Sequence, residues 1–317
     1  MKRKLNECEN LNVENTYRSK FMDYTILYEE EVDSTNLWAK KLAQKGMPQG
    51  MVCIADAQSA GVGRRGRSWA SEGGHSIYMS ILLRPDLPAS HASMLTLAAG
   101  LSVAQVCRTV PCSDKKTDAS ARVSGNHKEA VSAKVEQNGP KESMLDTKCA
   151  SGTDGTLFLD AEIKWPNDVV VSGKKICGIL TEMGLKGASV DYVIVGIGIN
   201  VNAKQFPKEI KETATSLALE AGMHLDRKRI VEAVLEQFSI NYKKFLETKD
   251  LTMLVDAYNE VLVNRDREVR VLDPKGEYRG VAAGINELGE LLVRKEDGTE
   301  VAVYAGEVSV RGIYGYV

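Results

Sequence analysis

The chain has 317 residues, of which 43% are hydrophobic and 26% are charged, and its formal net charge is -2. This length suits a large catalytic domain with a smaller attached domain, and the composition is that of a globular protein. The charge excludes a general electrostatic attraction to nucleic acid or anionic membrane, and every apolar run is shorter than the about 20 residues of a membrane span.

The chain starts with a polar leader, residues 1–23, and the sequence leaves open whether this leader is ordered. No apolar segment follows its basic residues, so we expect no signal peptide and a cytoplasmic protein. The six cysteines form no Cys-x-x-Cys pair. Reduced thiols are therefore expected rather than disulfides or a zinc site.

Strands alternate with helices in the first third of the chain. Three strands are predicted, and they cover residues 24–32, 50–58 and 76–85. A helix is predicted over residues 33–46, with Asp33 or Ser34 as its N-cap and Gly46 as its C-terminal stop. A nearly uncharged stretch rich in Ala and Leu, residues 91–110, predicts a buried helix.

Residues 111–155 differ in character, because they are rich in Ser, Lys, Gly and Asp and contain no aromatic residue. We interpret this segment as a disordered surface insertion. Beyond it, strands are predicted before Lys164, on both sides of a turn at 172–173, and over 189–202. Helices are predicted near residues 215–221, 226–248 and 251–263. The apolar period then becomes two, which predicts a small all-β module over 265–317 after a larger domain over 24–264.

The loop AGVGRRGRSW, residues 60–69, contains three glycines and three arginines. Glycine permits close approach to a ligand, and Arg64, Arg65 and Arg67 can each bind phosphate or carboxylate oxygens, which favours a loop that closes on an anion. A solvated Arg/Gly turn and a nucleic-acid patch are the alternatives. The loop is not a Walker motif, because it lacks the Gly-Lys-Ser/Thr sequence.

Two further motifs combine a lysine with a turn or a glycine. KWPND, residues 164–168, can present a lysine, an amide and a carboxylate to a phosphate or Mg²⁺, although an ordinary Asn-Asp turn has the same composition. KKICGILTE places Lys175 before Gly178, where charge stabilisation could occur beside bare backbone. A solvated strand-end lysine is the alternative.

The sequence VIVGIGINVN carries Gly196 and Gly198 inside a very apolar strand. Glycine weakens a strand, so a ligand or a packed element is expected to approach closely there, and the sequence does not decide between the two.

The chain resembles the biotin protein ligases in a set of motifs that occur in a fixed order. These are DSTN, AQSAGVGRRGRSW, KWPND, KKICGILTE and VIVGIGINVN, followed by a small β module. The resemblance covers roughly Tyr24 to Arg311 apart from the insertion. It implies an α/β (α+β) fold, a class II synthetase-like mixed sheet with flanking helices, and a C-terminal small all-β barrel. It also implies that biotin and ATP form biotinyl-5'-AMP, and that biotin then passes to a lysine of the biotin carboxyl carrier domain of acetyl-CoA carboxylase or a related carboxylase.

The resemblance further implies which residues form the site. The residues with implied catalytic roles are Arg64, Lys175 and Asp168. The implied biotin-binding residues are Ser34, Thr35, Asn36, Gln58, Gly61, Val62, Gly63, Arg64, Lys175 and Gly178. The implied nucleotide-binding residues are Arg64, Arg67, Lys164, Asn167 and Asn200. Mg²⁺ would be bound through ATP phosphates rather than by a fixed protein site.

Val62 departs from the family, which often has a basic residue at this position. The leader is shorter than the winged helix-turn-helix of some members, so we expect a ligase that does not bind DNA or membranes. Two alternatives remain, namely a lipoate or octanoate ligase or transferase of similar fold and a nucleic-acid-binding protein. The sequence leaves open whether the protein is a monomer or a homodimer.

Overall fold

The structure, a computed structural model, describes residues 13–66, 69, 73–111, 150–151, 156–273, 276–304 and 309–312. Arg67 and most of the predicted insertion lie outside the described residues. The described helices are α1 (Thr35–Gln44), α2 (Met94–Arg108), α3 (Leu217–Ala221), α4 (Arg227–Thr248) and α5 (Val255–Glu260). The described strands are β1 (Val13–Arg18), β2 (Asp23–Val32), β3 (Met51–Gln58), β4 (Ser76–Leu83), β5 (Val110–Pro111), β6 (Ala150–Ser151), β7 (Thr156–Phe158), β8 (Ala161–Lys164), β9 (Asp168–Val171), β10 (Lys174–Lys186), β11 (Ser189–Asn200), β12 (Glu268–Leu272), β13 (Tyr278–Ile285), β14 (Leu291–Arg294), β15 (Glu300–Val303) and β16 (Ser309–Gly312).

An eight-stranded sheet forms the centre of the fold, in the order β1-β2-β3-β4-β11-β10-β9-β8. Strands β2 and β3 are parallel, and the other neighbouring pairs are antiparallel. The predicted mixed sheet with flanking helices is therefore confirmed.

Helices cover both faces of this sheet. Strand β4 is buried along its whole length, as its nearly continuous apolar sequence requires. Ile81 points into the larger core, which also holds the buried residues of α2 and α4, whereas Leu82 points into a smaller core beside Leu42 of α1. The predicted buried helix over 91–110 is α2, in which most side chains are buried.

The leader contributes a strand that the sequence interpretation did not include. Residues Val13–Arg18 form β1 and pair antiparallel with β2 at the edge of the sheet. The rings of Tyr17 and Tyr24 stack with centroids 6.5 Å apart. The surrounding residues are polar and exposed, as on many edge strands, so the sequence gives little apolar signal there.

Short strands mark the two ends of the predicted insertion. Val110 of β5 lies opposite Leu157 of β7, and Ala150 of β6 lies opposite Phe158. The chain therefore leaves and re-enters the domain at neighbouring positions.

The C-terminal module is an antiparallel sheet of five strands, in the order β15-β14-β13-β12-β16. The predicted small all-β domain is therefore confirmed, and within the described residues its end strands β15 and β16 are not paired with each other. The indole nitrogen of Trp165 donates a hydrogen bond to the carbonyl of Gly289 at 3.0 Å. This contact joins the β13–β14 turn to the KWPND corner.

Candidate active site

The register of the central sheet brings three of the sequence motifs into one row. Lys164 lies opposite Asp168, Asp168 opposite Gly178, Gly178 opposite Gly198, and Gly198 opposite Tyr78. Antiparallel pairing therefore aligns KWPND, KKICGILTE and GIGINVN, although they are distant along the chain. The row continues from Tyr78 to Ala55 of β3.

A pocket opens on the face of the sheet that α1 covers. Most of the predicted biotin-binding residues line it, and these are Ser34, Thr35, Asn36, Gln58, Val62, Gly63, Arg64, Lys175 and Gly178. The predicted nucleotide-binding residue Asn167 lines it as well. The site thus forms where the first residues of α1, the arginine loop and the KWPND corner meet.

Lys175 reaches the pocket because strand β10 contains an irregularity. The register between β9 and β10 shifts between Lys175 and Cys177, so the alternation of faces is interrupted. The ammonium nitrogen of Lys175 lies 2.5 Å from Oδ1 of Asp168 and 5.0 Å from the centroid of the Trp69 ring. The two charged side chains are 22% and 15% exposed, so this ion pair is largely shielded from water.

Arg64 connects the arginine loop to the KWPND corner. It begins a short 3-10 turn, and its Nη1 donates a hydrogen bond to Oδ1 of Asn167 at 3.0 Å. The side chain of Asn167 in turn donates from Nδ2 to the carbonyl of Ile179 at 3.2 Å. The backbone carbonyl of Asn167 accepts a hydrogen bond from the amide of Ile179 at 2.9 Å. The loop therefore lies against the corner with its cation at the pocket.

The glycines of the strands admit neighbouring side chains in this structure. A Cβ on Gly178 would lie 2.7 Å from the Trp69 ring, and a Cβ on Gly198 would lie 3.0 Å from the same ring. A Cβ on Gly196 would lie 2.1 Å from Oδ1 of Asn36. The close approach that the sequence predicted is thus packing against Trp69 and Asn36, both of which line the pocket.

The start of α1 confirms the predicted N-cap position but not a capping hydrogen bond. Ser34 occupies the N-cap position with extended backbone, but its side chain makes no capping hydrogen bond. Asp33 instead accepts a hydrogen bond from the amide of Ser34 at 2.7 Å, which lowers the pKa of the Asp33 carboxyl. The Ser34 side chain is buried and lines the pocket, so it is not directed at the helix end.

Four predicted site residues lie near the described pocket lining without belonging to it, namely Gly61, Lys164, Asp168 and Asn200. Asp168 contacts the pocket through Lys175. Asn200 is buried and donates from Nδ2 to the carbonyl of Thr215 at 3.0 Å, which ties β11 to the segment beside Lys175. The prediction for Arg67 falls outside the described residues.

The sequence interpretation assigned no ligand role to several lining residues, namely Trp69, Tyr78, Ile179, Leu180 and Ile197. Period-two alternation on β4 could have placed Tyr78 and Ser80 on one face. No sequence signal places Trp69 against the two glycines, because that contact depends on how the loop folds back.

The described residues contain neither a metal-binding cluster nor a helix able to cross a membrane. No group of three or more His, Cys, Asp or Glu is placed to hold a metal ion there. None of the described helices has the length and apolar character to cross a membrane.

Residues 28–200 match the model of the biotin/lipoate A/B protein ligase family, and residues 266–311 match that of the biotin protein ligase C-terminal domain. The chain is 30% identical over 295 residues to the bifunctional ligase/repressor BirA of Bacillus spizizenii, covering 92% of this chain and 76% of the relative. It is 30% identical over 262 residues to the biotin–acetyl-CoA-carboxylase ligase of Mycobacterium tuberculosis, covering 82% and 78%. A biotin protein ligase from Aquifex aeolicus, solved with biotin and ATP, superposes with a TM-score of 0.64 at 28% identity, covering 90% of this chain and 98% of that one.

Proposed function

The chain belongs to the biotin/lipoate A/B protein ligase family, and we propose that its pocket activates biotin with ATP and transfers it to a lysine of a biotin carboxyl carrier domain. The protein is a biotin protein ligase, and its substrates are biotin and ATP.

The observation that carries the proposed site is the pair of cations, Arg64 and Lys175, that line one pocket. Adenylation has to bring two anions together, the carboxylate of biotin and the α-phosphate of ATP. Preorganised cations in a shielded site offset this repulsion more effectively than they would in water. Asn167 and Asp168 hold the two cations in place through hydrogen bonds.

In the first step, a carboxylate oxygen of biotin bonds to the α-phosphorus of ATP, and the bond from that phosphorus to pyrophosphate breaks. Lys175 and Arg64 are assigned to the carboxylate and the α-phosphate. Lys164, Asn167, Asn200 and Arg67 are assigned to the nucleotide. Mg²⁺, bound through the phosphates of ATP, would offset charge on the leaving pyrophosphate, with Asp168 nearby.

In the second step, the amine of a carrier lysine attacks the acyl carbon of biotinyl-5'-AMP. The bond between that carbon and the phosphate oxygen breaks, AMP leaves, and the amine loses a proton as the amide forms. The adenylate is a mixed anhydride that water would hydrolyse, so the arginine loop is assigned the role of a lid. The contact between Arg64 and Asn167 supports this role, because it holds the loop against the pocket.

We assign the carrier domain of acetyl-CoA carboxylase as the partner, on the basis of the name of the Mycobacterium tuberculosis relative. We also propose that the catalytic domain includes β1, because this strand pairs with β2 of the central sheet. The domain then extends from residue 13 to residue 264, and the C-terminal module from 265 to 317.

ATP–pyrophosphate exchange tests the activation step. With biotin as the only acid, the purified chain should incorporate labelled pyrophosphate into ATP, and lipoate or octanoate should not replace biotin. Exchange driven by lipoate but not by biotin would assign the chain to the lipoate branch of the family. Salt-sensitive binding of nucleic acid without exchange would favour the nucleic-acid alternative.

A further inference from the structure

Tyr258 carries a buried hydroxyl group that has no hydrogen-bond partner among the described residues. The residue lies on α5 and is 1% exposed. A hydroxyl that leaves water without gaining a partner destabilises the folded state, and such groups are rare in native proteins. Phenylalanine would fill the same space without this cost. The hydroxyl of Tyr258 therefore needs a functional explanation.

The chain that follows Tyr258 is attached to β8. The carbonyl of Val261 accepts a hydrogen bond from the amide of Ile163 at 2.6 Å, and the amide of Val263 donates to the carbonyl of Ile163 at 3.0 Å. Ile163 lies on β8, which pairs with β9, the strand that begins at Asp168. These hydrogen bonds hold the end of α5 beside the two strands that meet at the KWPND corner.

The next residue of α5, Asn259, is attached to the C-terminal module. Its Nδ2 donates to the carbonyl of Ile285 at 3.3 Å, and its Oδ1 accepts from the amide of Ile285 at 2.8 Å. Gly284 makes room for this contact, since a Cβ there would lie 3.0 Å from the Asn259 side chain. Helix α5 is thus held both by β8 and by β13.

The hydroxyl of Tyr258 interacts electrostatically with Asp168. Burial raises the pKa of Tyr258, and the negative charge of Asp168 raises this pKa further. The phenol therefore stays protonated and has a hydrogen to donate to an anion. In this structure Asp168 is paired with Lys175, whose ammonium nitrogen lies 2.5 Å from Oδ1.

Activation of biotin weakens the pair of Lys175 and Asp168. Lys175 is assigned to the carboxylate of biotin and the α-phosphate of ATP, so its ammonium group has to turn toward these anions. The side chain of Asp168 is only 15% exposed. A shielded carboxylate that loses its cation is destabilised unless another donor replaces it. Without such a donor, Lys175 would stay with Asp168 and would deliver less of its charge to the substrates.

We propose that Tyr258 is a positioning residue whose hydroxyl donates a hydrogen bond to Asp168 when Lys175 turns to the substrates. Lys175 then reaches the reacting anions while Asp168 keeps a donor. This role explains why a tyrosine with an unpaired hydroxyl, rather than a phenylalanine, occupies the position. The proposal rests on the proposed function, because it concerns the activation of biotin in this pocket.

The test compares Tyr258→Phe with the parent in biotin-dependent ATP–pyrophosphate exchange. This substitution removes the hydroxyl and keeps the ring. The kcat of exchange should fall by about 10- to 100-fold, because a hydrogen bond to a charged group is lost as the reaction proceeds. The KM values for biotin and ATP should stay unchanged, since the substrates are still bound by the same groups.

Tyr242→Phe is the matched control. Tyr242 is 3% exposed, and its hydroxyl also has no hydrogen-bond partner among the described residues. It lies on α4, where its ring stacks on that of Phe238. Exchange by Tyr242→Phe should equal that of the parent. An equal fall of kcat in both variants would show a general effect of removing a buried hydroxyl and would overturn the proposal.

An Asp168→Asn background separates positioning from packing. A neutral amide does not need a donor to replace Lys175, so adding Tyr258→Phe should have little further effect on kcat. If Tyr258→Phe lowers kcat by the same factor in both backgrounds, its role is merely structural and the proposal is wrong.

Urea unfolding without substrates gives a measurement that does not depend on activity. The midpoint for Tyr258→Phe should equal or exceed that of the parent, because the hydroxyl that is removed has no partner to lose. A lower midpoint would show that the hydroxyl is already paired, for example with a buried water molecule, and would overturn the proposal. A parent without biotin-dependent exchange would refute the proposed function, and this proposal with it. Parental kcat in Tyr258→Phe would refute the role of Tyr258 alone.

Discussion

The ammonium group of Lys175 lies 2.5 Å from the carboxylate of Asp168, and Asp168 lies opposite Gly178 in the β9–β10 ladder. Asp168, on the adjacent strand, thus holds Lys175 beside the backbone of Gly178, which carries no side chain. The side chain of Lys175 is 22% exposed. The ion pair therefore fixes the position of the Lys175 ammonium group at the pocket.

We expect Lys175→Met to reduce biotin-dependent ATP–pyrophosphate exchange by about 100- to 1,000-fold, the cost typical of losing a positioned charge at a reaction centre. The free energy of unfolding should fall by about 1–3 kcal/mol at most, because Asp168 loses its partner in a partly shielded site. Exchange assays and urea unfolding measure the two effects. Lys186→Met, at the exposed end of β10, is the matched control. Exchange at the parental rate in Lys175→Met would remove this residue from the reaction.

Arg64→Gly should weaken the closure of the loop, because the hydrogen bond to Asn167 is lost. The adenylate would then escape and label exposed lysines of added proteins without selection. Mass spectrometry of biotinylated lysines in a mixture of a carrier domain and serum albumin measures this release. Arg265→Gly, an exposed residue far along the chain, should label the carrier alone. Retained selectivity in Arg64→Gly would contradict the role of the loop as a lid.

Gly196→Ala should disturb Asn36, because the added Cβ would lie 2.1 Å from Oδ1 of Asn36. We expect the Kd for biotin to rise by about tenfold or more as the polar groups at the start of α1 shift. Gly100→Ala is a suitable control, since a Cβ there meets Ile179 at an ordinary 3.5 Å and alanine favours a helix. Calorimetry with both variants distinguishes the site from a general effect of added volume. Unchanged biotin binding in Gly196→Ala would contradict the packing described here.

Burial raises the pKa of the Cys53, Cys107 and Cys177 thiols, that of Cys107 to about 12. Their folded-state pKa values lie above the unfolded value, so their contribution to stability is complete below the unfolded pKa and is lost as the pH rises above it. The free energy of unfolding should therefore decline above about pH 8.5, by up to about 1.4 kcal/mol per pH unit for each thiol. Denaturant titrations between pH 7 and 10 measure the slope.

Replacing the three buried thiols with alanine is the control for this pH dependence. The triple variant should lose part of the decline, although tyrosines and lysines still titrate in the same range. In the native parent, iodoacetamide should leave these three thiols unmodified at pH 8. Rapid alkylation of any of them, or an identical pH dependence in parent and variant, would contradict their burial in the core.

Apolar runs of strand length predicted most of the central sheet, because strands such as β4 and β11 are buried on both faces and are therefore almost wholly apolar. The same signal fails for β1, where the sequence VENTYR is mostly polar and pairing with β2 provides the stabilisation. Ser34 occupies the predicted N-cap position, but its side chain makes no capping hydrogen bond. The residue type suits a cap, but its side chain is buried at the pocket.

Motifs indicated which residues meet at the site, but not how they are held. Lys175 was singled out from its position before Gly178, whereas the register shift that brings it to the pocket depends on the pairing of β9 and β10. Glu182 belongs to the same motif and attracted no assignment, because its partner Asn36 is distant along the chain. Contacts of this kind follow from the register of the sheet, which a single sequence does not specify.

The most direct test of the account is a two-stage turnover experiment with ATP labelled at the α-phosphate. Mixed with biotin and labelled ATP alone, the protein should retain about one labelled adenylate per active site, because a closed loop protects the anhydride. Addition of a biotin carboxyl carrier domain should then release the label as AMP, with one biotin on the carrier for each AMP. Failure to form the bound adenylate, or its release without modification of the carrier lysine, would contradict the account.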